Sequence, residues 1–394
     1  MTLIPKIEKV TRDATISHFF LMFGYRIFSL YFPLFLVSRG FSLLEVGYTY
    51  LLIYLPIALF SPIIGFLNHK VNPAVLASLG VLGYALYAIG MILIQNQSLF
   101  YFFQILLGFS AALFFVSARA ILMASKLENP DRAFGWFYSA PYYAGAIAPA
   151  VGAFFIWQFN FSGVFIFSLV IQLFTALFCF IRLKKSSQKL VDQHFNFQKF
   201  LESYQSALQV LTKKNILPWL FVSFSVLLLG GFYQGFFVLF LKQLLGWSQN
   251  IILAFVSLFS TLFLPLSLFV IHRLEKLKSE INIFQGAIVA GLFSILFGAI
   301  QPILGFVSVL LIRLGQGGGD LICESGRSGL VSEKLREKPE EAGAIDTIFS
   351  PLGSALGALI GGLLIVSLGY PLIFILGGIL ILGVGILGKK FAKI

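Results

Sequence analysis

Three ionisable residues sit in the middle of long apolar stretches of this chain: Arg26, Arg313 and Asp320. If those stretches cross a bilayer, each charge is costly to embed and calls for a polar path or a partner. The stretch around Arg313 also carries Gln316, Glu324 and Arg327. At 100° per residue, Arg313, Asp320 and Glu324 fall within about 20° of one line, and Gln316 and Arg327 within about 60° of it. The rise from Arg313 to Asp320 is about 10 Å, too long for an easy direct pair. Glu324 has Arg327 three residues on and reads as its structural partner. Asp320 has no local partner, which makes it the candidate for a protonation switch. The run Gly317-Gly318-Gly319 leaves room there for a solute or a bend. The other reading of Arg26, Arg313 and Asp320 is internal ion pairing. His18 lies two turns before Arg26 and reads as incidental. Trp136, Phe137, Tyr138, Tyr142 and Tyr143 form a dense aromatic set. They suit a pocket for a planar solute, but in a chain with 46 Phe, lipid-facing packing is the plainer expectation. No paired catalytic acids, metal-spaced His or Cys, or nucleotide loop occurs, so no enzyme, cofactor or metal is expected. The two cysteines, Cys179 and Cys323, lie in apolar runs and form no disulfide framework.

These residues are positioned by a chain of 394 residues that is 58% hydrophobic and 11% charged. A soluble domain carries about 25% charged residues, so soluble and disordered classes are excluded. A spanning helix needs about 20 apolar residues. Such runs occur at approximately 14–37, 45–67, 73–94, 99–124, 134–157, 162–184, 216–241, 250–272, 281–301, 303–325, 342–367 and 371–390. The expected class is an all-α membrane protein of 12 helices. The alternate segments on one side hold most of the Lys and Arg, including Lys6, Lys9, Lys70, Arg119, Arg132 and Lys393, whereas the other side holds only Arg39 and Lys242. Both termini are therefore expected in the cytoplasm. The net charge of +12 is a topology signal and a match to anionic lipid, not a nucleic-acid patch.

The longest polar stretch, 185–215, divides the chain into an N-terminal bundle (1–184) and a C-terminal bundle (216–394). Its Phe195, Phe197, Phe200, Leu201, Tyr204, Leu208 and Leu211 suit an amphipathic helix on a membrane surface. The bundles repeat. A shift of 208 lays Ser117, Arg119, Leu122, Lys126, Gly135 and Gly145 on Ser325, Arg327, Leu330, Lys334, Gly343 and Gly353, and a shift of 206 lays Gly24, Gly40 and Ser42 on Gly230, Gly246 and Ser248. Asp346 falls on Tyr138 and, at the start of the eleventh run, reads as a first-turn acid suited to the helix dipole. With six helices each, the halves are parallel repeats, which place a substrate between them near the midplane.

These residues resemble the major facilitator superfamily over essentially the whole chain. Gly65-Phe66-Leu67-Asn68-His69-Lys70-Val71-Asn72 is similar to its Gly-x-Leu-x-Asp-Arg/Lys-x-Gly signature, with His69 at the acid and Asn72 at the second glycine. Gly145, Pro149 and Gly152 resemble the helix-packing motif of the family's antiporters, with Ala148 at the motif's second glycine. Arg313-Leu314-Gly315-Gln316-Gly317 resembles an element the family usually keeps in helix four, where this chain has Gln104 to Gly108. The resemblance implies a cavity lined by helices one, four, seven and ten, and hence a solute or ion site at Arg26, Gln104, Arg313, Gln316 and Asp320. It also implies a cytoplasmic gate at Arg119 and Arg327, with Glu324 beside it. The expected function is secondary transport of a small solute by alternating access, as proton-coupled export of a lipophilic, drug-like compound. The alternatives are a permease for an organic or inorganic anion held by Arg26 and Arg313, and a non-transporting receptor or scaffold. The expected setting is a monomer in the plasma membrane.

Overall fold

Two tight turns show the internal repeat at the level of the backbone. Gly40 and Gly246 take φ of 87° and 67°, the left-handed region that glycine enters without a Cβ penalty. Two residues on, Ser42 and Ser248 each start a helix. Ser42 Oγ accepts from Glu45 N at 3.2 Å while Glu45 Oε2 accepts from Ser42 N at 2.7 Å, a reciprocal cap. Ser248 Oγ accepts from Ile251 N at 3.4 Å.

The structure, a computed structural model, describes residues 5–29, 31–38, 40–93, 96–187, 197–274 and 276–391; Arg39, Phe195 and Lys393 lie outside them. The helices are α1 (Lys9–Ser29), α2 (Phe32–Ser38), α3 (Leu43–Lys70), α4 (Pro73–Leu93), α5 (Gln97–Ala124), α6 (Pro130–Ser187), α7 (Phe197–Leu211), α8 (Leu217–Gln243), α9 (Gln249–Leu274), α10 (Ser279–Ala299), α11 (Phe306–Lys334) and α12 (Pro339–Phe391). Nine helices among the described residues are long and apolar enough to cross a membrane.

Twelve crossings follow because α1 with α2 makes the first, and α6 and α12 each make two. As one rod, the 58 residues of α6 would run about 87 Å, nearly three hydrocarbon thicknesses. Its contacts with α1 show that it doubles back. Phe137 meets His18 and Gly145 meets Arg26, ascending; Phe165 then meets Phe28, Ser168 meets Gly24 and Gln172 meets Leu21, descending. Helix α12 repeats this on α8. Gly357 and Gly361 face Leu228 and Phe232, the chain turns at Gly369 (φ 70°), and Gly377 and Gly388 face Leu229 and Val222.

Within each half, glycine lets backbones touch. A Cβ on Gly80 would lie 2.6 Å from Ser110 O on α5, and one on its repeat mate Gly286 would lie 2.6 Å from Gly319 O on α11. Two of the three glycines of α11 serve packing, Gly319 against Ala290 and Gly317 against Phe263, while Gly318 lines a hollow between α9, α10 and α11. Helix α7 is amphipathic, with Phe200, Ala207 and Leu211 buried and Phe197, Leu201 and Leu208 exposed.

The halves meet along α3 and α12 through the depth of the molecule, from Gly47 against Ala358 to Gly65 against Ala344. They also meet along the first arm of α6 and α9, where Tyr143 Oη and Ser267 Oγ are 2.9 Å apart. The end that carries both termini, called the basic end below, is closed by buried polar contacts between halves. Asp131 accepts from Ser279 and Asn282, both at 2.9 Å, and His69 Nε2 lies 3.2 Å from Glu341 Oε1.

Candidate functional site

Between the halves lies a cavity of about 220 Å³. The N-terminal half supplies most of its wall: His18, Met22, Tyr25 and Arg26 of α1, Ile53, Tyr54 and Ile57 of α3, Tyr84 of α4, Leu107, Phe115 and Arg119 of α5, and Tyr138 and Tyr142 of α6. The C-terminal half adds Gln234, Glu324, Thr347, Ser350 and Ser354. The wall is thus aromatic, with two guanidiniums on one side and one carboxylate and several hydroxyls on the other. A wider hollow of about 440 Å³, between α9, α10 and α11, is lined by apolar residues with Arg273 and Gln285 at its edge.

Arg26 reaches this cavity because α6 leaves it a berth. A Cβ on Gly145 would lie 2.7 Å from Arg26 Nη1 and 2.8 Å from Ser260 Oγ of α9. One turn on, Tyr31 Oη donates to Pro149 O at 3.3 Å, and a Cβ on Gly152 would lie 2.0 Å from Ile27 O. The three motif residues of α6 therefore set how close α1 can come and where its arginine can lie. The guanidinium sits 6.0 Å from the Tyr142 ring and has no carboxylate within 4.0 Å among the described residues. The aromatic set of α6 faces inward rather than to lipid: Tyr138 and Tyr142 line the cavity, Tyr142 stacks on Phe263 across the halves at 3.9 Å, and Trp136 and Phe137 are buried. His18 is built in, with Nδ1 2.9 Å from Phe137 O.

Arg313 lies elsewhere. It is absent from the cavity wall and sits over Tyr233, Phe237 and Phe259 at 4.1, 4.8 and 5.7 Å, inside the C-terminal half. Asp320 also lies outside the wall. Its Oδ2 accepts from Gln316 Nε2 at 3.1 Å, and its Oδ1 is buried without a hydrogen-bond partner among the described residues. Gln104 is fully buried in the N-terminal half, against Tyr87 Oη and Phe100 O, both at 3.3 Å. Arg313, Gln316, Asp320 and Gln104 thus do not converge on the space that Arg26 faces.

Toward the basic end, one acid gathers what sequence reading had kept apart. Asp346 lies two turns into α12 and is fully buried, so it is no helix cap. Its Oδ1 accepts from Arg327 Nε at 3.0 Å, and its Oδ2 accepts from Ser328 at 2.7 Å and Tyr138 at 3.1 Å. Arg119 Nε lies 3.6 Å from the same oxygen. Tyr138 and Asp346 are repeat mates, as are Arg119 and Arg327, so the cluster straddles the axis relating the halves. Glu324 has no such ion pair among the described residues and faces the cavity. The arrangement can hold a solute against aromatic rings and a guanidinium, close the basic end below it, and offer one carboxylate to a proton.

The sequence profile of the Major Facilitator Superfamily matches residues 14–344. Multidrug resistance protein 2 of Bacillus subtilis (strain 168) is 24% identical over 318 residues, which cover 78% of this chain and 76% of that protein. Among solved structures, the human organic anion transporter MFSD10 (TETRAN) superposes with a TM-score of 0.72 at 15% identity, over 97% of this chain and 99% of that one. A bacterial homologue of the iron transporter ferroportin, in an outward-facing state, gives 0.69 at 14%, over 98% of each chain. At these identities the two structures speak for the fold alone.

Proposed function

The chain belongs to the major facilitator superfamily and is a multi-pass membrane transporter rather than an enzyme, and from that premise we propose that it exports lipophilic, aromatic-bearing solutes in exchange for protons. The observation that carries this reading is the aromatic interhalf cavity, walled by Tyr25, Tyr54, Tyr84, Tyr138 and Tyr142, with Arg26 from one half and Glu324 from the other in its lining. Tyrosine rings supply broad apolar contact with a polar tip, and their faces attract cations. The likeness to a protein named for multidrug resistance supports the same class. In this reading the bundles are 1–184 and 216–394, the chain works as a monomer in the plasma membrane, and the basic end faces the cytoplasm.

Glu324 takes the proton, because it alone among the acids lines the cavity. Asp320, one turn away on α11, is the alternative proton site, and its unpartnered Oδ1 keeps it in the reckoning. Arg119, Arg327 and Asp346 form the gate that parts when the basic end opens. In proteoliposomes, an imposed pH gradient drives uptake of a fluorescent lipophilic dye. Glu324→Gln abolishes gradient-driven uptake and keeps dye exchange, and Asp320→Asn retains both. Uptake indifferent to the gradient in the unmodified protein would overturn the proton coupling.

A second reading keeps Arg26 as the recognition group for an organic anion. A clamp of two arginines lacks its second arm, since Arg313 lies outside the wall. Arg26→Lys and Arg26→Gln decide between the readings. Anion transport falls in both variants, because a lysine cannot reproduce the bidentate fork, whereas export of neutral solutes survives.

A further inference from the structure

The last turn of α3 and the first turn of α12 bring His69 together with the adjacent pair Glu340 and Glu341, more than 270 positions further along the sequence. One ligand atom from each lies within 4.8 Å of the others, and all three side chains are buried. His69 Nε2 and Glu341 Oε1 are 3.2 Å apart. Acids at a helix start are eased by the helix dipole. The dipole does not explain why two buried carboxylates share one imidazole, since a buried charge needs a counter-charge or a metal.

Two further features complete the place. Tyr204 of α7 lies beside it, and its buried hydroxyl has no hydrogen-bond partner among the described residues. Gly65, one turn before His69, keeps the space beneath open, because a Cβ there would lie 2.7 Å from Tyr204 Oη and 3.4 Å from Glu340 O. The position that carries an acid in the family signature is His69 in this chain, so the departure from the signature is what supplies the imidazole.

We propose that His69, Glu340 and Glu341 bind a divalent transition-metal ion, of the Zn²⁺ or Mn²⁺ kind, which staples α3 of one half to α12 of the other. One imidazole and two carboxylates make a nitrogen–oxygen set suited to such ions, whose bonds run about 2.0–2.2 Å. Ligands on a common ion sit about 3–4 Å apart, so the widest pair, within 4.8 Å here, needs to close by up to about 1–2 Å. The unpartnered Tyr204 Oη is the group that would donate to a ligating carboxylate once the cluster closes on an ion, the outer support such sites use. Resting on the reading that the halves part at the basic end during transport, occupancy holds this end closed and arrests the carrier.

The test separates the site from that reading. Titration calorimetry of the detergent-solubilised full chain with Zn²⁺ gives one site, and His69→Gln, Glu340→Gln and Glu341→Gln each weaken it by at least about tenfold. The same Zn²⁺ inhibits dye transport by the unmodified protein in proteoliposomes and spares His69→Gln. Zn²⁺ affinity that is absent, or unchanged in all three variants, overturns the site. Binding that the variants lose, with transport indifferent to Zn²⁺, leaves the site standing and overturns the staple. Thermal unfolding of each variant without metal, matching that of the unmodified protein, shows that a lost affinity is not a lost fold.

Discussion

The two halves carry their embedded charges in opposite ways. In the N-terminal half, Arg26 and Arg119 both line the interhalf cavity. In the C-terminal half, Arg313 and Arg327 do not. Arg313 is nested among three aromatic rings, and Arg327 is fully buried against Asp346. Arg119 and Arg327 are equivalent by the repeat yet differ in their surroundings. An embedded arginine therefore has two physical solutions: a polar opening, or a partner within its own half. Only the first offers the charge to a solute.

The sharpest test of this contrast removes the equivalent arginines one at a time. Arg327→Gln leaves Asp346 buried beside a more distant Arg119, a loss of about 3–5 kcal/mol for breaking a buried pair, seen as a large drop in the thermal midpoint. Arg119→Gln leaves the 3.0 Å pair intact, so its midpoint falls less while its transport falls more. Equal midpoints would erase the distinction between the halves. Next in size are the close glycines. Gly152→Ala drives a Cβ into Ile27 O and costs about 1–3 kcal/mol of stability, whereas Gly145→Ala meets the movable end of Arg26 and raises the transport KM by a few-fold at nearly unchanged stability.

Exchanging the mid-membrane arginines gives a smaller, qualitative split. Arg26→Gln changes KM for the dye with a thermal midpoint near that of the unmodified protein; Arg313→Gln lowers the midpoint, through lost contacts to Tyr233 and Phe237, and leaves KM alone. The smallest effect belongs to the exposed surface. Lys6 Nζ lies 2.6 Å from Glu128 Oε1, and this bond holds the Glu128 carboxyl below its usual range. A carboxyl so depressed stabilises the fold above its unfolded pKa and loses that contribution as pH falls through the lower folded value. Both side chains are exposed, so Lys6→Ala shifts the acid limb of a midpoint-against-pH curve barely, if at all.

The crossings were legible in the sequence because a span is a local property: about 20 apolar residues suffice to mark it. The repeat was legible through Gly40, Ser42 and Arg119, since polar matches rise above compositional bias. Arg26 was legible through its cost. The nest of Arg313 was not, because its rings come from α8 and α9, more than 50 residues upstream. Asp346 was read as a helix cap because only three-dimensional packing brings Arg327, Ser328 and Tyr138 to it. One signal could have found that contact. The shift of 208 pairs Asp346 with Tyr138, and equivalent residues close to a two-fold axis face each other. His69, Glu340 and Glu341 lacked any such cue, being set together by the closure of α3 on α12.

Asp346 answers two guanidiniums but travels with only one of them. It shares its half with Arg327, while Arg119 belongs to the other. Any motion that separates α5 from α12 lets Asp346 keep its closer partner and leaves Arg119 a bare cation at the mouth of the passage. In the gate proposed above, opening the basic end therefore uncovers one positive charge that closure sets against Asp346, so the field met by an arriving solute would differ from the field met by a departing one.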